Sequence, residues 1–151
     1  MTDEDYMREA LNEAVAASRR GEVPVGAILV NPDSGEILAR SGNAPILLDD
    51  PTAHAEILTI REFGHRSGNY RMPGLTLYVT LEPCTMCAGA ISFARISRIV
   101  YGADDPKGGA VDNGVRFYEQ STCHHRPAVT SGVLQQECSD ILRSFFKQRR
   151  R

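Results

Sequence analysis

Residues 75–101 constrain the fold more than any other stretch of the chain. Residues 75–81 are rich in aromatic and β-branched side chains and read as a strand. Pro83 stands where a first helical turn begins, and the helix runs to about residue 95. Residues 96–101 read as the next strand. Strands joined through a crossover helix pair in parallel, and a parallel sheet needs helices over both faces.

The remaining elements arrange around that unit. Residues 3–20 read as an amphipathic helix with Met7, Ala10, Leu11, Ala14, Val15 and Ser18 on one face. Thr2 caps it, with Asp5 three residues on, and Gly21 ends it. Residues 25–31 form a nearly continuous apolar strand, 32–35 a turn, and 36–41 the returning strand of a hairpin. A helix is expected over 53–63 with Thr52 as cap, a loop over 103–113, a short helix over 115–119, a strand over 128–130 and a last helix over 134–148. The order predicts an α/β fold: a three-layer α/β/α domain around a mixed five-stranded sheet.

With 151 residues the chain is expected to be one domain. Its 42% hydrophobic and 24% charged residues argue against disorder. A net charge of −2 excludes a uniformly basic nucleic-acid coat, but the average hides a bias. Residues 143–151 hold Arg143, Lys147, Arg149, Arg150 and Arg151 and no acid, so a +5 end is joined to a body of net −7. Lys107 and Lys147 are the only lysines. The positive charge is therefore almost all guanidinium, the planar group suited to phosphate. The longest apolar stretch, near 25–30, is far too short for a bilayer. The start, Met-Thr-Asp-Glu-Asp, is acidic where a secretory signal is basic. The expected compartment is the cytoplasm, where the four cysteines are metal ligands or free thiols.

Two short segments carry chemistry: Thr52-Ala53-His54-Ala55-Glu56 and Glu82-Pro83-Cys84-Thr85-Met86-Cys87. Both fall at expected helix starts. Cys84 and Cys87 are three apart, so on a helix they share a face and can grip one ion. A helix N-terminus favours the thiolate that binds metal. His54 offers a neutral imidazole, making one nitrogen and two sulfurs for zinc, with a fourth position for water. Alone, the Cys-x-x-Cys pair also fits a redox pair or half of a structural site, which Cys123, His124 and His125 could complete. A carboxylate at Glu56, two residues after the histidine, favours the catalytic alternative. It is placed to meet a zinc-bound water, and a structural site has no use for it.

His54-x-Glu56 followed by Pro83-Cys84-x-x-Cys87 resembles the signature of the zinc-dependent nucleobase and nucleoside deaminases. The likeness extends through Glu22-Val23-Pro24-Val25-Gly26-Ala27, Gly42-Asn43, Asp50-Pro51-Thr52, residues 77–90, Tyr101-Gly102-Ala103, Asp105-Pro106-Lys107 and Phe145-Phe146-x-x-Arg149-Arg150. Over nearly the whole chain these segments look like the bacterial tRNA-specific adenosine deaminases. The resemblance implies a cytidine-deaminase-like domain over 1–151 with one zinc per chain on His54, Cys84 and Cys87. It also implies hydrolysis of adenosine to inosine at the wobble position of a tRNA anticodon loop, with Glu56 as proton shuttle. Asn43 would hold the target nucleoside, and the N–H groups of Ala55 and Cys84 would face the attacking oxygen. Asp105 and Lys107 would border the anticodon nucleotides. The end of the last helix, with Phe145 and Arg149, would lie beside the RNA, although aromatic residues on an amphipathic helix ordinarily face the core. The partners implied are tRNA and a second copy of the chain as a homodimer, with no membrane. Cys123 and Cys138 are expected to be free thiols, and Gly108-Gly109 makes the loop after Lys107 glycine-rich.

The charge split makes a measurable statement. Removing residues 147–151 should weaken tRNA binding and flatten its dependence on salt, since each lost phosphate contact lowers the log–log slope by somewhat under one. A salt titration of affinity checks this, and an unchanged slope would reduce the tail to a solubilising end.

Overall fold

The computed structural model describes residues 1–149. Helix α1 (Asp3–Arg19) begins with the expected capping box, Thr2 and Asp5 each bonding the other's backbone N–H. Strands β1 (Gly26–Val30) and β2 (Ile37–Gly42) form the hairpin. Then follow α2 (Ala55–Ser67), β3 (Thr76–Leu81), α3 (Thr85–Phe93), β4 (Arg98–Ala103), a 3₁₀ turn (Phe117–Glu119), β5 (Ala128–Thr130) and α4 (Gln135–Arg149). The sheet order is β2-β1-β3-β4-β5. β1 is antiparallel to both β2 and β3, while β3, β4 and β5 run parallel, so the sheet is mixed as expected.

Alternation along the strands divides the core into two layers. Ala27, Leu29, Leu77, Val79 and Ile99 pack with Ala55 of α2 and Ala88 and Ile91 of α3. Ile28, Val30, Tyr78 and Val100 face Tyr6, Met7 and Ala10 of α1 and Cys138 of α4. Each strand face thus meets a helix layer, which is why β1 is buried at every residue. Gly26 and Gly42 pair across β1 and β2, and α1 lies directly on both. A Cβ at either would fall within 3 Å of α1 backbone atoms, so glycine here sets how closely the helix approaches.

Three local expectations shift. Thr52 does not cap α2; its hydroxyl bonds Asp50 at 2.7 Å in a turn, and the helix starts two residues later with His54 at the N-cap. Helix α3 starts after Pro83, with Cys84 at the N-cap. The segment 115–119 closes as a single 3₁₀ turn. In the first two cases a cap or turn residue meets a partner that local propensity does not record.

The start of α1 is tied to the far half of the sheet. Arg98 of β4 grips Asp3 through two bonds, 2.7 and 3.1 Å, and reaches Thr130 of β5 at 3.0 Å. The Tyr78 hydroxyl of β3 donates to Asp3 at 2.7 Å. The Arg98 hydrogen bond, opposed by partial burial and helped by Tyr78, holds the Asp3 carboxyl below the usual carboxylate range. A depressed folded pKa gives stability that is present above the unfolded value, near 4, and lost as pH falls through the folded value. Asp3→Asn should therefore destabilise by about 1 kcal/mol at neutral pH, a modest figure because the pair is partly solvated. The gap between the two proteins in denaturant midpoint should close as pH falls below about 4.

Candidate metal centre and active-site cavity

Helices α2 and α3 begin with residues that rarely cap helices. The N-cap residues are His54 and Cys84, and neither side chain makes a capping hydrogen bond. The two side chains turn toward each other instead. His54 Nδ1 lies 3.6 Å from Cys84 Sγ and 3.4 Å from Cys87 Sγ, and one donor atom from each of the three residues lies within 4.8 Å of the others. Among the described residues this is the one such group of possible metal ligands. One imidazole nitrogen and two sulfurs form a donor set that zinc accepts, and three protein donors leave a fourth position open.

The charges suit an ion. Its hydrogen bond with Cys87 outweighs burial and, with His54, draws the Cys84 thiol down to about 4. The same bond and burial push the Cys87 thiol up, so Cys87 supplies the shared proton. The bond to Cys84 raises the imidazole of His54. An arriving cation displaces these protons.

Glu56 lies on the first turn of α2 and is buried, with 4% of its surface exposed. Burial, reinforced by the Cys84 thiolate, pushes its carboxyl up to about 7. It shares a cavity of about 300 Å3 with His54 and Cys84, walled by Asn43 and Pro45 on one side and Asp105 and Gly108 on the other. A carboxyl poised near neutrality beside a metal centre is suited to accept and return a proton.

The structure distributes the other expected residues unevenly. Asn43 lines the cavity, and its Oδ1 accepts the Ala55 N–H at 2.8 Å. That bond gives the Ala55 N–H a partner in Asn43. It leaves the amide NH2 as the group Asn43 can offer. Asp105 reaches the cavity wall, but its Oδ1 accepts the N–H groups of Gly108 (2.9 Å) and Lys107 (3.3 Å), so the carboxylate also shapes its own turn. Lys107 is exposed beside it.

Phe145 and Phe146 are not core residues: Phe145 is half-buried and Phe146 is 45% exposed. Helix α4 packs on β3 and β4 through Cys138, the residue it buries, while Phe145 and Phe146 lie on its last turns beyond that contact. With Arg149 the two rings wall a second cavity of about 340 Å3 that shares Val23, Asn43 and Pro45 with the first. The Arg149 guanidinium sits 4.7 Å from the Phe145 ring centroid and donates to the Gly21 carbonyl. Arg143 pairs with Asp140, while Arg150 and Arg151 lie outside the described residues.

Cys123 and Cys138 are free and buried. The Cys123 thiol donates to the His125 carbonyl, and His125 Nε2 meets the Ile96 carbonyl at 2.7 Å, so this segment is a packing joint apart from the metal group. Sequence reasoning missed the carboxylates of Glu22 and Glu82, both 2% exposed. Their only local signal was a glutamate directly before Pro-Cys in one case and before Val-Pro-Val in the other.

Known proteins place this geometry. Residues 1–103 match the cytidine and deoxycytidylate deaminase zinc-binding region. The tRNA-specific adenosine deaminase of Agrobacterium fabrum is 58% identical over 145 residues, 96% of this chain and 94% of that protein. The enzyme of the same name from Haemophilus influenzae is 50% identical over 98% of this chain and 85% of its own. A solved structure from a study of A-to-I editing by tRNA:A34 deaminases at the wobble position superposes with a TM-score of 0.89 at 58% identity, covering 91% of this chain and 99% of that one.

Elemental analysis of the purified chain should find one zinc per chain. Cys84→Ala should lose it on dialysis, and a second zinc per chain would bring Cys123, His124 and His125 back as ligands. A zinc-compatible donor set, a buried carboxyl beside it and a match over more than half the sequence have one common source: the chain belongs to the zinc-dependent cytidine and deoxycytidylate deaminase family.

Proposed function

We propose that this chain hydrolyses adenosine to inosine at the wobble position of a tRNA anticodon loop. The observation that carries the reading is the buried Glu56 sharing one cavity with the His54, Cys84 and Cys87 group, in a chain 58% identical to a tRNA-specific adenosine deaminase. Residues 1–151 act as one deaminase domain.

His54, Cys84 and Cys87 would hold the zinc, which would supply a lowered pKa for the attacking water. Glu56 takes the water proton and passes it to N1 of adenine, which makes C6 electrophilic. After attack at C6, Glu56 takes the second proton from the new C6–OH and delivers it to the departing amine, so that the C6=O of inosine forms and ammonia leaves. A carboxyl near 7 can hold the proton in one half-cycle and release it in the other. The Asn43 amide NH2, aimed by its bond to Ala55, holds the nucleoside. The Cys84 N–H, which has no partner among the described residues, faces the attacking oxygen. Asp105, Lys107, Phe145 and Arg149 border the flanking nucleotides. An anticodon loop suits this cavity because its bases are already unstacked.

The active form is a homodimer. Helix α3 has no charged residue, and Met86, Gly89, Ala90 and Phe93 lie along its outer side, with Phe93 77% exposed. An uncharged helix with an apolar outer stripe fits a protein partner, and the stripe adjoins the cysteines. No helix among the described residues is long and apolar enough to cross a membrane, and the cytoplasm, where tRNA is found, is the expected compartment.

Sequencing of tRNA before and after treatment should show inosine at the wobble position. Free adenosine, guanine and cytidine should remain unchanged, and activity on them alone would overturn the assignment. Glu56→Ala should lower turnover by about 100-fold or more with zinc still bound. Near-normal deamination by that variant would remove Glu56 from the mechanism.

A further inference from the structure

Two buried carboxylates take no part in the metal or proton chemistry, yet each grips one wall of the cavity. Glu22 accepts the N–H groups of Ile46 at 3.2 Å and Leu47 at 2.9 Å. Glu82 accepts five donors. Oε1 receives the Asp105 N–H at 3.0 Å and the Asn113 side chain at 2.7 Å. Oε2 receives the N–H groups of Val111, Asp112 and Asn113 at 2.9–3.0 Å. Neither glutamate has an ion-pair partner among the described residues.

The N–H groups they accept have no other partner among the described residues. Ile46, Leu47 and Leu48 are 66%, 64% and 51% exposed, so hydrophobic burial does not anchor this turn, which follows the buried and backbone-bonded Asn43 and Ala44. The backbone bonds of Leu48, Asp49 and Asp50 close on Ala44, Ile46 and Pro45, within the loop itself. On the opposite wall the loop wraps tightly onto its glutamate, and a Cβ at Gly109 would fall within 3 Å of Glu82 Cδ and the Asp105 carbonyl. Glu82 is two residues from Cys84, so its carboxylate sets the loop directly against the metal centre.

A buried carboxylate without a cation is a poor way to add stability alone. Aiming several N–H groups at one rigid acceptor does define where a loop sits. We propose that Glu22 and Glu82 are a pair of positioning residues that set the spacing between the two cavity walls, and through it the affinity for substrate. Glu22 places the Ile46–Leu47 turn next to Pro45, and Glu82 places Asp105 and the turn that carries Gly108. The kinetic consequence rests on the tRNA deaminase reading; the structural one does not.

The test compares Glu22→Gln and Glu82→Gln with wild type by amide hydrogen exchange, zinc content and steady-state kinetics on an anticodon stem-loop. A glutamine keeps the shape but turns one acceptor into a donor that faces N–H groups. Exchange should quicken at Ile46 and Leu47 alone in the first variant, and at Asp105 and residues 111–113 alone in the second. Zinc should stay at one per chain. KM should rise about tenfold or more while kcat stays within about threefold. A folded variant with unchanged exchange in its loop, with KM unchanged, or with kcat lost at constant KM would overturn the proposal. If Glu82→Gln does not fold, Asn113→Ala removes one donor and leaves the carboxylate in place; it should raise KM about threefold, and no rise would count equally against the proposal. If wild type fails to deaminate the stem-loop, the functional reading falls, while the exchange pattern still decides whether the glutamates hold the walls.

Discussion

The structure depends on two helix N-termini meeting at one point with the wrong capping residues for helices. His54 and Cys84 occupy N-cap positions without capping their helices, and His54 Nδ1 lies against Cys84 and Cys87 instead. Each helix forgoes a side-chain cap, a loss on the order of 1 kcal/mol. In exchange the two positive helix ends converge on one group of donors, where a thiolate is electrostatically favoured. A local rule broken twice at one spot is the mark of a site under functional demand. The fold's other features serve to bring those two ends together: the parallel β3-α3-β4 unit delivers Cys84 at a strand end, and the hairpin delivers the loop that leads into α2.

Proton chemistry follows from the same convergence. Glu56 is buried because it follows the N-cap into the core side of α2, and burial raises its carboxyl toward neutrality. The histidine of the donor group and the buried carboxyl are thus two residues apart at the start of one helix. Their separation is held by helix geometry and needs no further bracing. The cavity walls differ in this respect. They are loops, and loops need acceptors for their N–H groups. Glu22 and Glu82 meet that need from inside, where water cannot compete.

Much of the fold was legible because it rests on local pattern. The capping box at Thr2, the parallel pairing after Pro83 and the mixed sheet all follow from spacing and alternation within a few residues. The zinc donor set was legible for a similar reason: cysteines three apart on a helix can only point the same way. The side chains at Phe145 and Phe146 were not, since an amphipathic period cannot say whether a helix's apolar face lies over the sheet or runs past its edge. Nor could the sequence say that the Ala55 N–H is taken by Asn43, a bond across 12 residues.

By itself, the sequence determined the order of elements, the three metal donors and the carboxyl beside them, because those depend on chemistry within one helical turn or one strand. Only the tertiary structure decided which backbone groups are free to meet a substrate and what holds the cavity walls. Those outcomes depend on N–H groups meeting acceptors 12 residues away, as at Asn43, or more than 20, as at Glu22 and Glu82. Nothing in the local pattern around a glutamate distinguishes a solvated carboxylate from one that anchors a loop.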